Sequence, residues 1–257
     1  MFSSSPPEYI AAGFFLAIQL QEGKCFPVSR NGPPWNMSLI KVCGNRYAAD
    51  AHMVASFQPD FMGWIFVPSS PRLITPEEAS EFISGIRADY PDIQHVAVMG
   101  GMEPEKLVQL LRRFSEINNA RFPVDAIQLI GTSQEIQGVA SSLQQMGADV
   151  PIWPVLRVDG PVNDQDLLAL AQADMYLLDR KVSNALGGTG RTIDEEWIQA
   201  ITLPYLLAGG INHLNALEKL KTTSARGVDI ASGLEDGRPG HKDEAKLKAL
   251  FDSLNRI

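Results

Sequence analysis

From residue 38 onward the chain repeats one pattern: a short apolar run, then an amphipathic stretch, then another apolar run. The apolar runs fall at 39–43, 61–67, 95–99, 125–129, 152–156, 174–178, 205–208 and 227–231. They are rich in Val, Ile and Leu without strict alternation, as expected of strands covered on both faces. The stretches between them predict helices over 46–57, 76–88, 103–116, 133–146, 163–171, 194–200, 212–220 and 242–255. Thr75-Pro76-Glu77-Glu78 supplies a cap, a proline at the first helical position and acid in the first turn. Asn212 and Lys242-Asp243-Glu244 open the last two helices in a similar way. Residues 116–124 read as a loop insertion before the fourth strand.

Eight strand–helix units in about 220 residues match one α/β domain, a single (β/α)8 TIM barrel. An open doubly wound sheet is the rival architecture. It usually carries its glycine fingerprint after an early strand, whereas the glycines here gather late, with no GxGxxG and no Walker A sequence. Residues 1–37 differ: Ser3-Ser4-Ser5-Pro6-Pro7 and Gly32-Pro33-Pro34 break the chain around a short apolar stretch. The expected organisation is an N-terminal extension over 1–37 and a catalytic barrel over 38–257.

Charge and cysteine content remove several function classes. The formal net charge of -8, from 22 basic and 30 acidic residues with no basic run, argues against a nucleic-acid partner. A small anion can still be held by backbone N–H groups. The two cysteines, Cys25 and Cys43, form neither a zinc spacing nor a CxxC pair. A disulfide between them is allowed by spacing alone, but a reducing, cytoplasmic setting fits better. Residues 10–20 are apolar yet short, interrupted by Gln19 and without a basic segment before them. They make a poor signal peptide and are too short to cross a membrane. His52, His95, His213 and His241 form no HxH or HExxH pattern, so structural roles and no metal are expected. The four tryptophans are scattered and read as packing.

The chemistry-bearing residues lie where strands end. Gly187-Gly188-Thr189-Gly190 follows the sixth strand, Ala208-Gly209-Gly210 ends the seventh and Ser232-Gly233 ends the eighth. Any one cluster is equally a tight turn. Three after consecutive late strands point to a phosphate site at one corner of a barrel's catalytic face. Cys43 closes the first strand and is either inert core or a base or nucleophile. Asp179 ends the sixth strand and is either a proton donor at the barrel mouth or a partner of Arg180 or Lys181. Arg72, on the loop after the second strand, is either a carboxylate clamp or a surface charge. Gln128 and Asp229, near the ends of strands four and eight, either touch a ligand or satisfy internal groups.

Taken in order, these stretches resemble the phosphoribosylanthranilate isomerase family of tryptophan biosynthesis. The resemblance runs through Lys41-Val42-Cys43-Gly44, Asp50-Ala51, Ser70-Pro71-Arg72, Gln128-Leu129, Leu178-Asp179 and Gly187-Gly188-Thr189-Gly190. It continues through Leu207-Ala208-Gly209-Gly210, Val228-Asp229, Ser232-Gly233-Leu234-Glu235, Pro239-Gly240 and Lys242-Asp243. It implies a (β/α)8 barrel needing no metal or organic cofactor. The implied reaction is the Amadori rearrangement of N-(5'-phosphoribosyl)anthranilate to 1-(2-carboxyphenylamino)-1-deoxyribulose 5-phosphate.

On that resemblance Asp179 is the general acid, Cys43 the general base and Arg72 the holder of the anthranilate carboxylate. Gly188, Thr189, Gly190, Gly209, Gly210, Ser232 and Gly233 hold the phosphate, with Gln128 and Asp229 also lining the site. The implied partner is a phosphorylated small molecule bearing an aromatic carboxylate, with no nucleic acid or membrane, in a monomer or homodimer. The chain departs from the family at Ile130, where histidine is usual, at Ile193-Asp194-Glu195 in place of Phe-Asp-Trp, and at Val98-Met99-Gly100-Gly101. Ile130 bears on turnover and exact substrate more than on reaction class. The alternatives are a related phosphosugar isomerase with another substrate, or a non-catalytic barrel that only binds.

Overall fold

The computed structural model describes residues 38–118, 122–181 and 192–255. The first four strands are β1 (Leu39–Cys43), β2 (Phe61–Ile65), β3 (Gln94–Gly100) and β4 (Ala126–Ile130). The other four are β5 (Ile152–Val158), β6 (Tyr176–Arg180), β7 (Tyr205–Leu207) and β8 (Gly227–Ile230). They pair in parallel and in sequence order, and β1 closes on β8, so the sheet is a complete eight-stranded barrel. The helices are α1 (Ala48–Ser56), α2 (Pro76–Asp89), α3 (Pro104–Ile117), α4 (Ser133–Gln145), α5 (Asp164–Leu170), α6 (Ala216–Thr222) and α7 (Glu244–Ser253). The expected (β/α)8 architecture is therefore the one observed, and the doubly wound alternative is excluded by closure.

Two apolar layers follow from the period of two along each strand. Ile40, Val42, Met62, Trp64, Ala97, Met99, Ile127 and Leu129 point outward and pack beneath the helices. Phe61, Val96, Ala126, Trp153, Val155, Met175, Leu177 and Leu206 fill the barrel interior, with Leu39 and Ile130 against them. The same alternation turns Lys41 and Cys43 inward on β1, Gln128 on β4, Arg157 on β5, Asp179 on β6 and Asp229 on β8. His95 is buried, accepts a 3.2 Å hydrogen bond from Trp64 Nε1, and is held neutral by burial, its pKa pushed down to about 3. It serves the packing of β3, as the lack of a histidine motif suggested.

Helix starts follow the sequence signals in most places. Thr75 and Thr132 each close a reciprocal capping box, with Glu78 and Glu135 respectively. Two expected helices are corrected. Over 194–200 there is one 3-10 turn, Glu195–Trp197, and the apolar residues around it, Ile193, Ile198 and Ile201, are buried against the barrel. Over 212–220 the helix starts at Ala216, since Asn212 Oδ1 accepts from the N–H groups of Leu214 and Asn215 and makes a side-chain turn there. The expected loop over 116–124 begins after α3 ends at Ile117, and its residues 119–121 lie outside the described ones. Among the described residues no helix is long and apolar enough to cross a membrane. The expected extension over 1–37, including Cys25, also lies outside them.

Candidate active site

The C-terminal ends of the strands bring Cys43, Asp179, Gln128, Arg157 and Asp229 to one mouth, with the loops after β2, β7 and β8 around it. Two strands, β7 and β8, stand between Asp179 on β6 and Cys43 on β1, so the two groups face each other across an arc of the mouth. Gly188, Thr189 and Gly190 lie outside the described residues.

Asp179 is a protonatable group at neutral-to-acid pH. Burial raises its pKa from 3.8 to about 6, with Arg157 pulling it down and Asp229 pushing it further up. Arg157 is its register neighbour on β5. The β7 turn is shaped around this carboxylate. Gly209 has φ +76°, and a methyl group there would sit 2.7 Å from Asp179 Oδ1 and 2.7 Å from the Arg180 nitrogen. Glycine is what allows the loop to lie against the acid.

Cys43 is a free thiol at 4% exposure. Burial pushes its pKa above the ordinary value, Lys41 and Lys242 pull it down, and Asp229 pushes it up. The lowered pKa that a resting thiolate base would need is therefore absent from the free protein. The end of β1 is fixed by Lys242, whose buried ammonium donates to Cys43 O at 2.6 Å and Ala231 O at 3.2 Å, tying β1 to the segment after β8.

Arg72 is not a surface charge. Its Nε and Nη2 each donate at 2.6 Å to the two carboxylate oxygens of Glu235, a bidentate fork. Glu235 Oε1 also accepts from Gly240 N at 3.0 Å and lies 3.5 Å from Lys242 Nζ. Burial works against the Glu235 charge, but Arg72 and Lys242 outweigh it and hold its pKa below the usual range. Asp229 turned out to be paired internally, accepting from Lys41 Nζ at 2.8 Å inside the barrel. Gln128 is buried, and its Oε1 has no hydrogen-bond partner among the described residues. A buried acceptor of this kind, aimed inward, suits a ligand or water donor. Gly233 packs so closely on the loop after β7 that an added methyl would lie 2.2 Å from Ile211 O, which joins the two late glycine loops into one corner.

Sequence reasoning gave no role to Lys41, Arg157, Glu235 or Lys242. Three of them stood in the motifs quoted above. The signal available was charge at positions where apolar or small residues belong: Lys41 within an apolar strand, and Arg157 within another. Among the described residues no group of three or more His, Cys, Asp or Glu side chains is arranged to hold a metal ion.

A model of the N-(5'-phosphoribosyl)anthranilate (PRA) isomerase family matches residues 40–253. The chain belongs to the phosphoribosylanthranilate isomerase family. It is thereby one of the isomerases of tryptophan biosynthesis. The N-(5'-phosphoribosyl)anthranilate isomerase of Microcystis aeruginosa is 31% identical over 222 residues, spanning 85% of this chain and 98% of that one. The phosphoribosyl anthranilate isomerase of Thermus thermophilus superposes with a TM-score of 0.66 at 26% identity, over 84% of this chain and 98% of the other. Another solved isomerase of the family, in complex with reduced 1-(o-carboxyphenylamino)-1-deoxyribulose 5-phosphate, shares the fold with a TM-score of 0.63 at 21% identity. It spans 86% of this chain and 100% of its own. The phosphoribosylanthranilate isomerase matches thus cover the barrel, and residues 1–37 fall outside the family match.

Proposed function

We propose that the chain catalyses the Amadori rearrangement of N-(5'-phosphoribosyl)anthranilate to 1-(2-carboxyphenylamino)-1-deoxyribulose 5-phosphate, with Asp179 as general acid and Cys43 as general base. The observation that carries this reading is Asp179 inside the barrel mouth, protonated up to about pH 6, with a thiol across the arc from it. In the first step the Asp179 carboxylic acid gives its proton to the furanose ring oxygen as the C1'–O bond breaks. The anthranilate nitrogen lone pair forms C1'=N, leaving a cationic iminium.

Cys43, in its thiolate form, then takes the proton from C2' and becomes the thiol. The C–H electron pair becomes C1'=C2', and the iminium electrons return to nitrogen. The enolamine gains a proton at C1' and loses the one on its C2' hydroxyl, giving the ketose. A buried thiol with a raised pKa is a poor resting base, but a cation formed beside it favours its ionised form. The iminium is such a cation, and it appears only when the base is needed.

The ends of the substrate are anionic. The corner made by Gly209, Gly210, Ser232 and Gly233 is assigned to the phosphate, and Gly188, Thr189 and Gly190 are assigned to it on the sequence resemblance alone. Arg72, oriented by Glu235 through Nε and Nη2, is assigned to the anthranilate carboxylate through the Nη1 side of its fork. Gln128 Oε1 is assigned to a substrate hydroxyl. Ile130 lines the inner wall where a polar group is usual in the family, so this pocket makes one fewer polar contact.

The test is a fluorescence assay of the purified protein with freshly prepared N-(5'-phosphoribosyl)anthranilate. Loss of anthranilate-type fluorescence, with one equivalent of product formed, is the expected result. No consumption under conditions where an established family enzyme turns over would overturn the proposal in favour of a changed substrate or a binding role.

A further inference from the structure

Lys41 lies wholly inside the barrel at 0% exposure, and its ammonium meets Asp229 Oδ1 at 2.8 Å. A buried ion pair is weak evidence for stability, since desolvating both charges costs several kcal/mol and apolar side chains of similar volume often serve the fold as well. The surroundings suggest another use. On β2, beside Lys41 and Cys43, stands Gly63, which gives the barrel wall no side chain there. A methyl group at Gly63 would sit 2.6 Å from Cys43 Sγ and 2.9 Å from Lys41 Nζ, so sulfur and ammonium share the space that the missing side chain leaves. An ammonium has three donors, and Asp229 takes only one.

We propose that Lys41 is a positioning residue for proton abstraction: its ammonium, clamped by Asp229, stands beside the Cys43 sulfur and stabilises the thiolate. This rests on the reading of Cys43 as the base. The wider surroundings of the sulfur are mixed in sign. Asp229 faces it from β8, Arg72 from the loop after β2, and Lys242 with Glu235 from the segment before α7. Asp179 on β6 and Arg157 on β5 lie beyond Asp229. Arg72 and Lys242 are both engaged by Glu235, which offsets their pull. Of the charged groups around the sulfur, Lys41 acts on it most strongly, and it favours the thiolate by attraction. Asp229 keeps the lysine charged: burial works against the Lys41 charge, yet Asp229 and the Cys43 sulfur together raise its pKa above the ordinary value.

The experiment is a titration of the ultraviolet thiolate absorbance against pH. It is made on a Cys25→Ser background, which leaves Cys43 the sole thiol of the chain's two. Lys41→Met is compared with Lys41→Met/Asp229→Asn, and folding is checked by circular dichroism. The double variant strands no buried carboxylate, so it carries the test if the single one does not fold. Because Lys41 acts on the sulfur more strongly than Asp229, both variants are expected to raise the thiol midpoint. The expected shift is about one pH unit or more, a tenfold smaller thiolate fraction at a given pH below it. An unchanged or lowered midpoint in a folded variant overturns the proposal. The titration does not depend on turnover. If Cys43→Ala were to keep full activity, the base assignment would fall while a Lys41-dependent midpoint would still stand.

Discussion

Asp179 and Cys43 share a buried mouth, and burial drives both toward the protonated state. For the acid this is the useful form, and for the base it is not. With the carboxylate titrating near 6 and the thiol above its ordinary value, the reactive form (carboxylic acid with thiolate) is a minor one at every pH. Its fraction rises with pH until the carboxylate titrates, stays level between the two pKa values, and falls above the thiol's. The kcat/KM profile is therefore expected to climb to a plateau beginning near pH 6 and to decline only in the alkaline range. A profile that instead falls from pH 6 upward would contradict this order of pKa values. Cys43→Ala and Asp179→Asn should each lower kcat by about 10²-fold or more in the fluorescence assay. Near-normal turnover in either would remove its assigned role. At this scale the sequence placed the two groups at strand ends but not their partners. Arg72 with Glu235, and Lys41 with Asp229, pair across 163 and 188 residues, a coupling that a single sequence does not display.

At the scale of elements, legibility followed locality. Strands and long helices were readable because apolar runs, caps and prolines act within a few residues, as at Thr75 and Thr132. The turn over Glu195–Trp197 was not readable, because its form is set by where Ile193, Ile198 and Ile201 dock on the barrel, which is tertiary information. The seam between β1 and β8 is a tertiary device of the same kind. Lys242 reaches from the segment before α7 to the carbonyls of Cys43 and Ala231, and its side chain is completely buried. Lys242→Met keeps much of the volume but leaves those carbonyls without their donor and Glu235 with Arg72 as its remaining cation. The expected loss is about 2–4 kcal/mol of unfolding free energy, measured by urea denaturation. An unchanged urea midpoint would show that the tie does not hold the seam. Since Cys43 sits at the end of that seam, kcat is expected to fall more than the loss of folded protein explains.

For the whole molecule, the barrel places its stability and its chemistry at different ends of the strands. The apolar interior and the layer beneath the helices hold the closed sheet, while the mouth gathers charge that the fold alone would not select. Asp179 shows what this costs. Its pKa is about 6 when folded against an ordinary 3.8, so between these values the folded state binds more protons than the unfolded one. Stability then falls as pH rises through that window. The penalty is absent below about pH 4, where both states are protonated, and complete above about pH 6, where both are ionised. Asp179→Asn cannot ionise and so escapes it. The variant is expected to be more stable than the parent by about 2–3 kcal/mol at pH 8, with the gain vanishing near pH 4. Urea unfolding at the two pH values checks this. A variant equally stable or weaker at pH 8 would mean that the mouth solvates the ionised carboxylate well. That would also remove the reason for Asp179 to hold its proton up to about pH 6. The same substitution that stabilises the barrel is expected to abolish most of its turnover, which ties the cost in stability to the proton the reaction requires.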